Sequence, residues 1–551
     1  MKKKLTFLSF LLFLLFQIPL LAQVADTVDV PSTDSQGPVD ALTRYIMGDT
    51  TTTGERNNIN RVYRLQRGEI YLLSGRSYYY YPLTLIADND ETKQPPVIAP
   101  FPLADGSIPR ISIEVNKDSY FKNLYFQGCS PTDQRNGSDR PLYIGPSEGV
   151  RLTIENCVVE AFKVAGIYNS GTKSSVFIKD CVWRNNNWSG VFTGQFFFNS
   201  ATGTMDTISV VNCTFFCGSS YFLCTNRNYV GYVRFEHNTL FINHTNPFYA
   251  PYLNNADIKN NIFFSPASCG ETAFERQQGY YDWDSQRLSA GLSIDTIPTD
   301  IASAYGITDE NRRINFSNNA YFWPQVVIDT LNSKTDVELP VWMNDRTMAF
   351  FNNDAQYPNL VQGNNIEADP GYNSSVMVMI DSLVNYISVF RTLGSAHAYF
   401  YNPQGGTIFP ARWPLPEDFS YTNSTLLTSA DGGFPLGDLN WFPEKKAQWE
   451  EWTTDVESNL SAVPKEFSLF QNYPNPFNPA TDIQFKLPAT GFATLKVFDV
   501  LGREVATLLN KEMAAGNHTV SFNATNLTSG IYFYRLESGK FISVKKMMLI
   551  K

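Results

Sequence analysis

A short alternating pattern recurs through the first two thirds of the chain, and no other feature limits its fold as tightly. The copies are "LTIENCVV" (152–159), "VFIKDCVW" (176–183), "ISVVNCTF" (208–215), "VRFEHNTL" (233–240), "ADIKNNIF" (256–263) and "INFSNNAY" (314–321), with "YFKNLYF" (120–126) a looser one. One column is Asn or Asp at 123, 156, 180, 212, 260 and 318, with His237 substituting once. Two places earlier stand Phe121, Ile154, Ile178, Val210, Phe235, Ile258 and Phe316. Three places later stand Phe126, Val159, Trp183, Phe215, Leu240, Phe263 and Tyr321. The polar column is spaced by 33, 24, 32, 25, 23 and 58 residues. The basic unit is therefore 23 to 25 residues, and polar insertions such as "SPTDQRNGSD" (130–139) and "NSATGTMD" (199–206) account for longer intervals. A second column eleven places on, at Ile167, Val191, Leu223 and Phe248, keeps the register. Strands that recur once per unit bury their inner faces only by stacking on the neighbouring coil.

The pattern resembles the right-handed parallel β-helix of the pectate-lyase-like proteins, over residues 45–325. The resemblance implies that an inward Asn at a turn stacks on the Asn of the next coil and satisfies buried backbone groups. Asn156, Asp180, Asn212 and Asn260 fit that ladder. Cys157, Cys181 and Cys213 follow immediately and are expected to stack as small buried side chains, in the free thiol state. No C-x-x-C or His-x-x-x-His spacing points to a metal, and Cys217 with Cys224 is the one pair considered for a bridge.

Where this family is catalytic, it uses the outer face of one sheet. Residues just before the polar column face outward: Lys122, Glu155, Lys179, Val211, Glu236, Lys259 and Ser317. Two places earlier the same face carries Thr153, Phe177, Ser209, Arg234, Asp257 and Asn315. Calcium-dependent lyases cluster carboxylates there, whereas this face alternates acid with base. Lys179, Arg234 and Lys259 are lyase candidates for base and carboxylate neutraliser, beside Glu236 and Asp257. Cross-strand ion pairing is the bland reading of the same residues. Calcium enters only with the lyase alternative, and otherwise no cofactor is expected. A glycosidase pair drawn from Asp282, Asp284 and Glu310 lacks any feature that fixes its separation.

Aromatic residues suggest a ligand more directly. "GRSYYYYPLTLIAD" (75–88) places Tyr78, Tyr79, Tyr80 and Tyr81 in a row, so some must face solvent in a strand, and "YYDWD" (280–284) adds Trp283. Exposed aromatic rings beside Asp and Asn suit a glycan. A net charge of -17 over residues 23–466, from 31 basic and 48 acidic side chains, disfavours nucleic acid and polyanions. Neutral or weakly charged glycans are therefore expected to bind better than polyuronates.

The two ends of the chain concern delivery. "MKKKLTFLSFLLFLLFQIPLLAQ" reads as a signal peptide, residues 1–22, with a linker over 23–44. No later segment is read as a membrane span. Residues 326–460 lose the repeat. "SSVMVMIDSLVNYISVFRT" places Val376, Ile380, Leu383, Ile387 and Phe390 at helical spacing, which predicts a helix on the open end or flank of the β-helix. "SADGGFPLGDLNWFP" (429–443) is turn-rich, and a polar helix is expected from Pro443, ahead of a linker over 461–466. Beyond it "YPNPFNP" (473–479) breaks regular structure, and short alternating strands follow in "VFDVLGREVATL", "GIYFYRL" and "KKMMLIK". These motifs resemble the type A C-terminal sorting domain of the type IX secretion system, over 467–551. The expected architecture is all-β: a parallel β-helix passenger, a partly helical extension, and a small immunoglobulin-like sandwich. The resemblance implies recognition by the type IX machinery and passage through the periplasm to the surface of a Gram-negative bacterium. A glycan-binding or structural passenger is the leading reading, with a polysaccharide lyase or glycoside hydrolase as the alternative.

Overall fold

Strands of successive coils pair in parallel into three long sheets. Among the described residues the first sheet has eleven strands, from Thr27–Val30 to Leu360–Gly363. The second has ten, from Ile70–Leu73 to Ile366–Glu367, and the third seven, from Ser77–Tyr79 to Phe248–Tyr249. The apolar column stacks as the spacing requires, with Ile154 paired to Phe121 on one side and Ile178 on the other. Together the sheets form a parallel β-helix around one core.

The computed structural model describes residues 26–550 apart from 33–38, 132–137, 187–194, 201, 226–227, 274, 276–288, 394–408, 410–412, 462–466, 473–474, 488–490, 514–515, 526 and 540. The expected signal peptide, most of the 461–466 linker, Asp282, Trp283 and Asp284 lie outside the described residues. The chain divides into two compact units, Met1–Lys445 and Lys446–Lys551.

The polar column marks the corner between the first and second sheets. Asn123, Asn156, Asp180, Asn212, His237, Asn260 and Asn318 all take positive φ, between 49° and 61°. Asn, Asp and His tolerate that left-handed conformation better than other residues with a Cβ, which explains the column. The continuous inward ladder stands one residue later than the spacing suggested: Cys157, Cys181, Cys213, Asn238, Asn261, Asn319 and Asn365. The backbone N–H of Cys213 donates to Asn238 Oδ1 at 3.0 Å, that of Asn238 to Asn261 Oδ1 at 2.8 Å, and that of Asn261 to Asn319 Oδ1 at 3.1 Å. Sulfur occupies the same place higher up, where the Cys157 N–H lies 3.4 Å from Cys181 Sγ. All seven cysteines are free and buried, Cys217 and Cys224 included.

The strand ladder outruns residues 45–325 at both ends. Thr27–Val30, expected in a linker, pairs with Val62–Leu65, and the helix Ala41–Gly48 sends Leu42 and Ile46 into the core. Leu360–Gly363 and Ile366–Glu367 add strands beyond the last recognised copy. The long insertion before Asn318 contributes Ala290–Leu292, which pairs in parallel with Val341–Met343 from the segment that follows Asn318. Trp342 stacks there on Tyr321 at 4.3 Å and Phe316 at 4.9 Å.

The described residues of 369–393 and 413–442 lie as a strap over the flank formed by the second sheet, not over an open end. Phe419 packs against Phe216 and Phe241 at 5.2 and 5.3 Å. The helix Ser374–Leu393 is long and apolar enough, at mean hydropathy 1.4, to cross a membrane by length and composition. Its hydropathy comes from the face that buries Val376, Met379, Ile380, Leu383, Tyr386, Ile387 and Phe390. Tyr386 stacks on His244 at 4.3 Å, and Arg391 donates to the carbonyls of Cys269 and Gly270 at 2.7 and 2.8 Å. In the "PLGD" turn, Gly437 has φ +78 and a Cβ there would meet Thr239 Oγ1 at 2.6 Å, so glycine is required.

The second unit contains an antiparallel sandwich. Ser468–Leu469, Ala480–Leu487 and Gly516–Asn523 form one sheet. Glu504–Met513, Gly491–Phe498, Gly530–Ser538 and Phe541–Leu549 form the other. The proline-rich break belongs to it: Phe477 is buried, its N–H donates to Met548 O at 2.9 Å, and its carbonyl accepts from Ile550 N at 3.0 Å. The "LGR" turn is held by Asp499 Oδ1, which accepts from the backbone N–H of Leu501 and Arg503 at 2.9 Å each.

Candidate ligand-binding face

Alternation along a strand divides the tyrosine run. Tyr79 is buried in the core and Tyr81 packs against it, whereas Tyr78 and Tyr80 are 43% and 67% exposed. Register places Tyr78 opposite Glu114, Glu114 opposite Tyr143, Tyr143 opposite Tyr168 and Tyr168 opposite Phe198, on the outer side of the third sheet. Tyr143 stacks on Tyr168 at 5.3 Å, and Tyr168 on Phe198 at 4.9 Å. Glu114 interrupts the rings, and Arg76 bridges the gap. Its guanidinium pairs with Glu114 and lies 4.6 Å from the Tyr78 ring and 4.7 Å from the Tyr143 ring. Arg140 covers Tyr168 at 3.8 Å.

This column spans four strand spacings, about 19 Å. Inside it the ring faces cover one another, so solvent meets edges and hydroxyls. Its open ring surface is at the Tyr78 and Tyr80 end. A cavity of about 370 Å³ adjoins that end, lined by Ser74, Gly75, Arg76, Leu103, Pro109, Arg110, Ile111 and Arg140. The tyrosines were visible in the sequence. The arginines were not, because they come from the starts of three strands whose connections differ in length.

The first sheet's outer face carries the lyase candidates in the expected register, with Arg234 opposite Asp257 and Glu236 opposite Lys259. Glu236 Oε2 accepts from Arg234 Nε at 2.8 Å, and Lys259 Nζ lies 3.3 Å from Glu236 Oε1 and 2.6 Å from Asp431 Oδ2. Burial alone would raise the Glu236 carboxyl, but Lys259 and Arg234 hold it well below the usual carboxylate range. Burial would lower the Lys259 ammonium, yet Glu236 and Asp431 outweigh it and raise the group. Asp257 accepts from Tyr232 at 2.9 Å and pairs with Arg313 at 3.2 Å. Lys179 stands apart, with the strand Met205–Val211 between it and Arg234, and lies 3.7 Å from Asp180. An ammonium kept charged in this way is a poor proton acceptor, so the arrangement favours ion pairing over base chemistry.

A third polar group lies beneath the strap. Arg184 donates to Glu417 Oε2 at 3.1 Å, and its guanidinium lies 3.0 Å from Glu417 Oε1 and 3.0 Å from Glu160 Oε1. Tyr125 and Asn185 also donate to Glu160, Asn185 at 2.8 Å. Two carboxylates thus share one guanidinium out of water. Burial pushes the Glu417 carboxyl up to about 7, against the opposing pull of Arg184.

Residues 471–551 match the family model described as a secretion system C-terminal sorting domain. No curated protein matches the chain. The match falls on the sandwich unit, and the all-parallel sheets of the first unit have the architecture of the pectate-lyase-like β-helix proteins. The match gives the chain a type IX sorting domain, which supports export in the manner of bacteria of the Bacteroidetes type and implies recognition by the secretion machinery.

Proposed function

We propose that the exported β-helix is a glycan-binding protein of the cell surface or its surroundings, reached through the periplasm. The observation that carries this reading is the pair of open rings, Tyr78 and Tyr80, at the end of an outward column of aromatics and guanidiniums beside a cavity. Sugar rings stack on exposed aromatic faces, while hydroxyls and guanidiniums along the column supply directional hydrogen bonds. Uronate cleavage on the first sheet is the alternative, with Lys179, Arg234 or Lys259 acting beside Glu236 and Asp257, and calcium belongs to that alternative alone.

One panel decides between them. The purified mature chain is incubated with polysaccharides, with and without calcium, following ultraviolet absorbance, new reducing ends and retention on immobilised glycans. Retention that drops at least tenfold in Tyr78→Ala/Tyr80→Ala, with no absorbance or reducing ends, supports binding. Trp283→Ala tests the remaining aromatic candidate in the same assay. Absorbance abolished by Lys259→Ala or Arg234→Ala would establish a lyase instead, and silence in every assay would leave a structural role.

A further inference from the structure

The cavity beside Tyr78 is a local inversion of charge on an acidic body. Arg76 and Arg110 border it with Arg140, and each arginine lies at the start of one of three adjacent strands of the third sheet, Ser77–Tyr79, Ile111–Val115 and Arg140–Ile144. Two of these cations are matched: Arg76 by Glu114, and Arg110 by Asp139 at 2.6 Å. Arg140 makes no ion pair among the described residues. Its one charge-sensitive contact there is the Tyr168 ring, and its Nε is shielded from solvent without a hydrogen-bond acceptor. Arg76 Nε is likewise shielded and unmatched. Among the described residues, three guanidiniums against two carboxylates leave one positive charge at the mouth of a cavity large enough for a sugar ring and its substituents.

We infer that this cavity takes a single anionic substituent, a sulfate ester or a carboxylate, carried on an otherwise sparsely charged saccharide laid along the Tyr78–Tyr168 face. The inference rests on the glycan reading above and narrows it to a ligand class. The planar fork of a guanidinium matches the oxygens of either group. The surrounding negative charge explains why the substituent must be isolated: a densely charged chain meets repulsion beyond the cavity, whereas one anion every few rings meets a cation and is neutral elsewhere.

Calorimetry on the mature full-length chain tests it with four probes. These are a neutral galactan oligosaccharide, the same oligosaccharide with one sulfate per disaccharide, its counterpart bearing isolated uronates, and polygalacturonate. The expected result is at least tenfold tighter binding of one sparsely charged probe than of the neutral parent, with polygalacturonate weaker than both. The preference should shrink with added salt, fall to near unity in Arg140→Gln and survive in part in Arg140→Lys. Whether sulfate or uronate wins identifies the source of the anion. Should Arg140→Gln fail to fold, as judged by its thermal melt, Arg110→Gln at the exposed rim gives the same readout. Equal affinity for neutral and charged probes, or a preference untouched by either substitution, overturns the anion site while leaving the glycan reading intact. No binding of any probe overturns both.

Discussion

Asn261 shows how much one side chain of the inward ladder carries. Its Nδ2 donates to Phe235 O and Asn319 Oδ1 at 2.9 Å each, and its Oδ1 accepts from the Asn238 N–H at 2.8 Å. Asn261→Ala removes all three and strands a buried carbonyl and a buried amide, which should cost about 2–5 kcal/mol. Cys181→Ala, in the same column, removes a weakly bonding thiol and should cost about 1 kcal/mol. Urea unfolding of the two variants checks the contrast, and equal losses would show that packing, not hydrogen bonding, holds the stack. The ladder's existence was legible in the repeat, but its position was misjudged by one. The corner residue and the stacked residue are both often Asn, as in Asn260–Asn261 and Asn318–Asn319, and only the run from Cys157 to Asn365 separates the roles. The partition of Tyr78 to Tyr81 followed from alternation alone. The grouping of Arg76, Arg110 and Arg140 did not, since it depends on register set by loops without a repeat.

At the scale of elements, the strap answers to pH. Burial raises the Glu417 carboxyl from the ordinary 4.5 to about 7, against the pull of Arg184. A carboxyl raised in the folded state contributes stability that is fully present below about pH 4.5 and is lost as pH rises through about 7. The loss is about 3 kcal/mol at most. Protease sensitivity of the segment around Phe419 should therefore increase between pH 5 and 8, and Glu417→Gln should flatten that dependence. An unchanged profile in the variant would assign the transition elsewhere. The strap was the least legible part of the chain. Its residues pack individually, Phe419 between two strands and Asp438 on Thr214 at 2.6 Å, without the periodicity that made the coils visible.

For the whole molecule, the sorting domain and the proposed binding face belong to separate units. Deleting Phe467–Lys551 should leave a folded passenger that keeps its glycan retention but stays in the periplasm. Fractionation of the producing cells checks this, and surface exposure of the truncated protein would contradict it. The sandwich has a further property in its wiring. Phe477, near its beginning, is bonded on both sides to the strand that ends at Leu549. The β-helix can close coil by coil as it is synthesised, but that pairing waits until Met548 and Ile550 have been made. A chain cut before Met548 lacks the partner for its own opening segment, so the two edges of the sandwich depend on each other across its whole length.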